Sequence, residues 1–467
     1  MSDTAAAPIG LFDRAIRRIA NVWRDMASTV PDEDQSILAQ MRACLHARGG
    51  EVSARNRAAK LAQTYLGLND KGRHAFLCDL ASFDSDTEAV SRAFDMVQEA
   101  NTDGDRALAN GALRRALDPP RARLLMQFTT IPDGMKFLVD LRATLLDLMK
   151  DDPYLSALES DLRALLSNWF DVGFLEMQRI DWHSPALLLE RLVGYEAVHE
   201  IRSWSDLKNR LDSDRRCYAL FHPRMPNEPL IFVEVALVHG LAGSVQALLD
   251  KKAPLLDAKS ADTAIFYSIS NCQRGLNGIS FGNFLIKRVV EVLASEFRNI
   301  KQFATLSPMP GFRRWLDGKL AADDETLLSD EESATLRTAA PASEKAAETG
   351  PQALAAIIGR RGWFRDQTMF KAAEPVLVRL GARYLLSESR GTRALDPVAH
   401  FHLSNGARVE RIMALGDTSE KGAKASATLM VNYVYDPAKI EDYHEDYAGA
   451  GKRNASTIVR RLARGWS

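Results

Sequence analysis

The chain up to residue 180 consists of segments in which apolar side chains recur every three or four positions. This is the spacing of one face of an amphipathic helix, and the connections between the segments are short. The pattern predicts an all-α helical bundle over residues 1–180, for which we expect a role in assembly. The predicted helical segments are residues 11–28, 34–50, 55–68, 87–101, 134–150 and 153–170.

Beyond residue 180 the pattern changes to short runs of apolar, β-branched and aromatic residues, which favour buried strands. Helices are predicted between them over residues 282–297 and from about Asp366. The fold class predicted is therefore α+β, with a mixed α/β domain over residues 181–467. Residues 321–352, rich in Ala, Glu, Ser and Thr, are expected to form a solvated helix-loop insertion. The predicted strands are residues 215–223, 229–238, 263–272, 301–308, 398–415 and 426–436.

The overall charge excludes one class of partner. Lys and Arg total 60 against 61 Asp and Glu, a formal net charge of −1, so no broad basic surface favours nucleic acid. The most apolar stretch, residues 229–249, contains Glu234, His239 and Gln246, which a membrane span would have to bury at high cost. Its β-branched first half favours a buried strand, so we expect no membrane span.

The four cysteines, Cys44, Cys78, Cys217 and Cys272, are dispersed and form no C-x-x-C pair. This spacing favours neither a disulfide framework nor a zinc module, and it indicates a reducing compartment. The N-terminal residues MSDTAAAPIG lack the basic and then apolar layout of a signal peptide. We therefore expect a cytoplasmic protein.

Residues 278–282, GISFG, match G-x-S-x-G, the pattern of the nucleophile elbow in serine hydrolases. An elbow requires a strand that runs directly into the serine turn, whereas QRGLN separates the strand end near Cys272 from Gly278. Asp396 and His402 follow in the order that a hydrolase needs, so Ser280 as a nucleophile stays open as an alternative.

A second interpretation of the same stretch is a phosphate-binding loop. Gly275, Gly278 and Gly282 allow close approach of the backbone to a ligand, and the loop leads into a helix with a strongly apolar face. The free N–H groups and the dipole at the helix start favour an anion such as pyrophosphate. A glycine-rich connection without a ligand is the alternative.

The loop resembles, loosely, the coenzyme A loop of the GNAT acetyltransferase fold, Q/R-x-x-G-x-G/A between a strand and a helix. The longer blocks AIFYSISNCQRGLNGISFGNFLIKRVV, FATLSPMPGFRRWL, DPVAHFHLSNGARVERI and LMVNYVYD resemble the malonyl-CoA decarboxylase family, in order and spacing, from about Trp169 to Asp436. That family has an N-terminal helical domain and a GNAT-like catalytic domain, so the resemblance implies both.

The resemblance also implies roles for individual residues. It places a catalytic serine, the proton acceptor, at Ser307 in LSPMPGF and a catalytic histidine, the proton donor, at His402 in FHLSNG. Tyr435 matches a further active-site position, and the family suggests a homo-oligomer such as a tetramer. The coenzyme A loop falls on Asn277, Gly278, Ile279, Ser280, Phe281, Gly282 and Asn283.

His400 and His402 alternate with Phe401, so on the predicted strand both would lie on one face. Such a pair can ligate a metal, but no acidic or cysteine partner lies at convincing spacing, and we expect no metal site there. The spacing does not distinguish the two histidines; the resemblance selects His402.

Malonyl-CoA decarboxylation is chemically consistent with these residues. The thioester itself delocalises the enolate charge, so we expect no cofactor, and coenzyme A enters only as part of malonyl-CoA. The protein has to supply a grip on coenzyme A, donors for the enolate oxygen and a proton. An acetyltransferase of the same fold and a non-catalytic coenzyme A-binding scaffold stay open as alternatives.

Overall fold

The computed structural model of the chain describes residues 23–28, 36–45, 50–279, 282–341 and 347–464. The predicted helix over residues 11–28 therefore lies largely outside the described residues. Its last turn packs into the helical core, where the buried Trp23 donates a hydrogen bond to the carbonyl of Pro132 at 2.9 Å. None of the described helices is both long and apolar enough to cross a bilayer.

The described residues before Phe170 fold into helices around one apolar core, as the spacing predicted. Helix starts coincide with side-chain caps: Asp86 accepts from the N–H groups of Glu88 and Ala89, and Thr102 accepts from that of Asp105. The helices are α1 (Ile37–Leu45), α2 (Glu51–Gly67), α3 (Asp70–Ala81), α4 (Thr87–Glu99), α5 (Asp103–Leu117), α6 (Pro120–Phe128), α7 (Gly134–Leu148) and α8 (Ser156–Trp169).

The second part is built on a mixed sheet with the strand order β1-β2-β3-β4-β5-β10-β6, and β9 pairs with the other edge of β10. Strands β4 and β5 are parallel, and the remaining described pairs are antiparallel. The strands are β1 (Glu176–Ile180), β2 (Arg215–Phe221), β3 (Pro229–Val238), β4 (Thr263–Asn271), β5 (Gln302–Thr305), β6 (Ser307–Pro308), β7 (Ser389–Arg390), β8 (Arg393–Ala394), β9 (Arg408–Met413) and β10 (Met430–Tyr435).

Helices cover this sheet, and the predicted fold class is confirmed. The strand β4, the glycine loop and a helix with a buried apolar face (Leu285, Val289 and Leu293) follow one another as predicted. The helices are α9 (Ala186–Tyr195), α10 (Trp204–Arg210), α11 (Val245–Leu248), α12 (Gly282–Glu296), α13 (Phe312–Ala321), α14 (Asp330–Ala339), α15 (Gly350–Gly359), α16 (Gln367–Leu386), α17 (Pro397–Ser404), α18 (Glu420–Ser426), α19 (Ile440–Ala450) and α20 (Thr457–Arg464).

The strand predicted over residues 398–415 is wrong in its first half, which is helix α17; only β9 is extended. Asp396 caps the helix, because its Oδ1 accepts from the N–H groups of Val398 and Ala399, both at 2.9 Å. Pro397 then occupies the first helical position, where its missing N–H costs nothing. These two start signals outweigh the β-like composition of the segment.

The expectation of a solvated insertion over residues 321–352 is also wrong for its described residues. Helix α14 and the first residues of α15 pack on the core, and Leu327, Leu328 and Leu336 are buried. A capping box between Ser329 and Glu332 starts α14. The low-complexity composition concealed an amphipathic helix, because alanine and leucine at helical spacing are sufficient to bury one face.

The helical part is directly attached to the glycine loop of the sheet domain. Gly275 packs so closely on α7 that a side chain there would overlap the carbonyl of Val139. Arg142 of α7 is buried; it pairs with Glu159 at 2.6 Å and donates to the carbonyls of Gly275 and Asn277 at 2.6 and 2.9 Å. The helices therefore contribute to the shape of the loop.

We expect Gly275→Ala to destabilise the protein by more than the roughly 1 kcal/mol of an average substitution, since the added carbon overlaps backbone. Urea unfolding measures this difference. Gly194→Ala is the matched control, because the space around Gly194 is open. Equal stability of the two variants would contradict the close packing of the loop on α7.

Candidate active site

Ser307 lies where strand β10 changes its pairing partner from β5 to β6. Strand β10 pairs with β5 through Val434 and Tyr435 and with β6 through Met430 and Val431, the latter opposite Ser307. Pro308 follows at once and cannot donate a ladder hydrogen bond, so the strand ends there. The Ser307 side chain is thereby fixed, buried, beside the last strand.

His402 lies in the last turn of α17, buried to 2% exposure. The helix stops directly after it: Gly406 adopts a φ of +78°, and the N–H of Ala407 donates to the carbonyl of His402. A side chain on Gly406 would overlap the carbonyl of Ile440, so the close approach of α19 requires glycine here. Helix start and helix stop together determine the direction of the imidazole.

A chain of hydrogen bonds joins the three residues that the family resemblance selected. Ser307 Oγ lies 2.9 Å from His402 Nε2, and His402 Nδ1 lies 2.8 Å from the hydroxyl of Tyr435. Ser307 Oγ also donates to Thr305 Oγ1 at 2.9 Å, and the N–H of Tyr433 donates to the same Thr305 oxygen at 3.2 Å. The structure thus brings Ser307, His402 and Tyr435 together.

The hydrogen-bond directions determine the tautomer of His402. The Ser307 hydroxyl has one proton, which it donates to Thr305, so it accepts from His402 Nε2–H. Nδ1 is then the acceptor and receives the hydroxyl proton of Tyr435. This assignment holds for the neutral imidazole, which burial favours, and it directs the ring proton at Ser307.

Burial has a strong effect on this site. It lowers the pKa of His402 from 6.5 to about 3, so the free protein holds the imidazole neutral. It also raises the pKa of Tyr435 well above its usual range, so the phenol keeps its proton. The ring of Tyr433 stacks on His402, with centroids 4.5 Å apart, and closes one face of it to water.

The described residues of the predicted coenzyme A loop are Asn277, Gly278, Ile279, Gly282 and Asn283. Gly278 adopts a φ of +80°, a conformation that L side chains rarely take, and its carbonyl accepts from Arg163 at 3.4 Å. Ser280 and Phe281 lie outside the described residues. Gly282 and Asn283 begin helix α12, so the loop leads directly into a helix N-terminus. An anion-binding loop of the predicted kind needs this arrangement.

The prediction that His400 and His402 share one face is wrong, because a helix turns residues two apart to different sides. His400 Nδ1 lies 2.9 Å from the hydroxyl of Tyr447, whereas His402 faces Ser307. The two rings therefore do not converge on a common point. The metal-binding pair that a strand would have formed from His400 and His402 does not form on this helix.

The comparisons with known proteins cover most of the chain. A family model of the malonyl-CoA decarboxylase C-terminal domain matches residues 173–466, and one of the malonyl-CoA decarboxylase N-terminal domain matches residues 83–170. The chain belongs to the malonyl-CoA decarboxylase family.

Relatives and solved structures agree with this assignment. The mitochondrial malonyl-CoA decarboxylase of Anser anser anser is 38% identical over 82% of this chain and 78% of its own length. That of Mus musculus is 35% identical over 89% of this chain and 83% of its own. The crystal structure of malonyl-CoA decarboxylase from Rhodopseudomonas palustris, 39% identical, covers 92% of this chain and 100% of that one at a TM-score of 0.82.

Family membership confirms the predicted activity: malonyl-CoA decarboxylases are carboxy-lyases that release CO2 from malonyl-CoA and leave acetyl-CoA. The malonyl-CoA decarboxylase assignment outweighs the acetyltransferase, scaffold and serine-hydrolase alternatives. It leaves the predicted cytoplasmic location untested, since the two animal relatives are named as mitochondrial proteins.

The sequence did not indicate three further residues of the candidate site. Thr305 orients the Ser307 hydroxyl, Tyr433 covers His402, and Arg142 holds the loop from the helical part. The alternation of β10 places Tyr433 and Tyr435 on one face of the strand, so a second tyrosine beside the first was readable. No local signal connects Arg142 with a loop 133 residues further along the chain.

The lowered pKa of His402 predicts a specific acid sensitivity. Above pH 6.5 both folded and unfolded chains hold the residue neutral; below it, the unfolded chain binds a proton that the folded chain refuses until pH about 3. His402 therefore makes the free energy of unfolding fall by about 1 kcal/mol for each pH unit lost below 6.5. Urea unfolding of wild type and His402→Gln at about pH 7, 6 and 5 should show a smaller fall in the variant. If the free energies of unfolding of wild type and His402→Gln fell equally with pH, a buried, neutral His402 would be contradicted.

Proposed function

We propose that Ser307 and His402 are the catalytic pair of this malonyl-CoA decarboxylase and that Tyr435 supports them. The observation that carries the proposal is the 2.9 Å contact between Ser307 Oγ and His402 Nε2 in a buried site. Such a contact lets a proton pass between the two groups within one hydrogen bond.

The reaction needs one proton for each CO2 released. The bond between the carboxylate carbon and the α carbon breaks, its electron pair enters the thioester as an enolate, and the α carbon then takes a proton. Because Ser307 Oγ occupies the direction in which Nε2–H points, the proton travels through the serine. Ser307 gives its hydroxyl proton to the α carbon and accepts the one that His402 releases.

The substrate supplies the charge that the site needs for this transfer. The free protein keeps His402 neutral, because burial disfavours the imidazolium. A malonyl carboxylate bound beside Ser307 brings a negative charge close to the ring and favours its protonation. Binding of the carboxylate is thus coupled to the uptake of one proton from solvent by His402, and the imidazolium holds a proton for the enolate once CO2 has left. The hydroxyl of Tyr435 then accepts from Nδ1–H instead of donating to Nδ1.

The loop from Asn277 to Asn283 is the proposed binding site for the coenzyme A pyrophosphate. In support, Gly278 has a left-handed backbone, and the loop precedes the start of α12. The positive charges of Lys287 and Arg288, in the second turn of α12, are partly neutralised, because these side chains pair with Glu441 at 2.7 Å and Glu291 at 2.9 Å. Backbone N–H groups therefore make the larger contribution.

Three further expectations from the sequence belong to this proposal. Decarboxylation proceeds without a metal or an organic cofactor, since the thioester accepts the electron pair. The protein forms a homo-oligomer, a tetramer by analogy with its family. It acts in the cytoplasm.

Replacing either member of the pair should abolish most of the activity while the fold survives. For Ser307→Ala and for His402→Ala, we expect kcat for acetyl-CoA formation to fall by about 10²- to 10⁴-fold, the usual contribution of a positioned acid or base. The assay measures CO2 release from malonyl-CoA alone, with no added metal or second substrate.

Ser404→Ala and His183→Ala are the matched controls, since Ser404 hydrogen-bonds His400 and His183 is exposed. Turnover near the wild-type value in Ser307→Ala or His402→Ala would overturn the pair. Turnover that appears only after an amine acceptor is added would instead support the acetyltransferase alternative.

The loop is tested separately by Gly278→Val. Valine at a φ of +80° is strained by about 1 to 3 kcal/mol, so the loop has to move. We expect KM for malonyl-CoA to rise by roughly ten-fold or more, since about 1.4 kcal/mol corresponds to a factor of ten. Gly194→Val, in an open position on α9, is the control. Unchanged affinity for coenzyme A in Gly278→Val would remove the loop from the binding site.

A further inference from the structure

A group of three potential metal ligands lies in the helical part, on elements other than those that carry Ser307 and His402. Within the described residues, His74 and Cys78 of α3 and Asp152, just before the short 3-10 helix Pro153–Leu155, bring one donor atom each within 4.8 Å of the others. All three side chains are half-buried, so they are ordered by packing and still accessible from solvent.

The two residues on α3 are four positions apart, in the sequence HAFLC. Residues at i and i+4 lie one above the other on the same helix face, so both donors point in one direction. The intervening Phe76 and Leu77 are fully buried and fix the helix against the core. The pair is therefore presented by a rigid element.

Asp152 is oriented by the backbone that follows it. Its Oδ1 accepts from the N–H of Tyr154 at 3.1 Å and so caps the short 3-10 helix. Its Oδ2 then points to α3, 3.0 Å from His74 Nε2 and 3.8 Å from Cys78 Sγ. Oδ1 therefore caps the 3-10 helix, and Oδ2 is directed at the donor atoms of His74 and Cys78.

The spacing of the donor atoms fits a tetrahedral ion. The distances between Asp152 Oδ2, His74 Nε2 and Cys78 Sγ are 3.0, 3.8 and 3.9 Å. Oxygen, nitrogen and sulfur ligands at their usual bond lengths to zinc lie about 3.3 to 3.6 Å from one another at tetrahedral angles. Shifts of a few tenths of an ångström bring the three into coordination.

The charge and the chemistry of the donors agree. A thiolate, a carboxylate and a neutral imidazole together carry two negative charges and so balance a divalent cation. The combination of sulfur, nitrogen and oxygen favours zinc over magnesium or calcium, which prefer oxygen alone.

We propose that His74, Cys78 and Asp152 form a Zn²⁺ site whose fourth position is open to water. The ion joins α3 to the turn between α7 and α8 and so stabilises the helical part. This site is separate from decarboxylation, which uses the Ser307–His402 pair. Coordination releases the thiol proton of Cys78, and the ring proton that His74 Nε2 shares with Asp152 moves to Nδ1, so that Nε2 can bind the ion.

The experiment uses the full chain, stripped of metal with a chelator and titrated with Co²⁺ as a spectroscopic substitute for zinc. We expect one equivalent to bind with a thiolate-to-cobalt charge-transfer band and the visible bands of a tetrahedral ion. Cys78→Ser should lose the charge-transfer band. Asp152→Asn, which keeps the Oδ1 acceptor, should weaken binding by about 10-fold or more. His183→Ala is the matched control. His183 is an exposed histidine whose Nδ1 lies 3.7 Å from Asp181 Oδ1, so it forms a histidine–aspartate pair without a thiol.

Thermal unfolding separates loss of the site from loss of the fold. Without metal, Cys78→Ser should melt close to wild type and retain decarboxylase activity, whereas added Zn²⁺ should raise the Tm of wild type only. Absence of the charge-transfer band in wild type would overturn the proposal and leave the cluster as a hydrogen-bonded trio. The same band persisting in Cys78→Ser would place the metal elsewhere and also overturn it.

Discussion

The hydrogen bond between Ser307 and His402 imposes a demanding constraint, because it joins residues 95 positions apart on unrelated elements. One partner is at the end of a strand and the other in the last turn of a helix, and both are almost fully buried. The side chain of Asn432 supports the strand side by donating to the carbonyl of Thr305 at 2.8 Å. Asp396 supports the helix side through its cap and the N–H of Gly311, 3.4 Å away.

Burial gives this site its chemical character. A histidine on the surface would titrate near neutral pH, but the apolar enclosure and the stacked Tyr433 keep His402 uncharged. In the proposed mechanism, the imidazole is a neutral donor that gains charge only when the malonyl carboxylate binds. In this arrangement the free protein does not hold an unpaired cation, and the substrate brings the compensating charge itself.

How much the sequence could predict depends on how local the determinants are. Helices with periodic apolar faces and the strands of residues 229–238 and 263–272 were predicted, because these signals lie within the segment itself. Ser307, His402 and Tyr435 came from the family resemblance. The helix around His402 was missed, although Asp396 followed by Pro397 is a readable start signal. The partners Thr305 and Arg142 depend on sheet pairing and on packing between distant segments, which no local pattern encodes.

Arg142 connects the helical part to the sheet domain across the boundary between them. Its guanidinium satisfies two backbone carbonyls of the loop, and its own charge is balanced by Glu159 from the next helix. Removing the helices would leave these carbonyls without their donor and would expose Gly275, which packs on Val139 of α7. The boundary between the two family domains is therefore also a structural contact, since the shape of the proposed coenzyme A loop depends on residues from both sides of it. A C-terminal domain inherited alone would keep Ser307 and His402 and lose the donor that holds this loop.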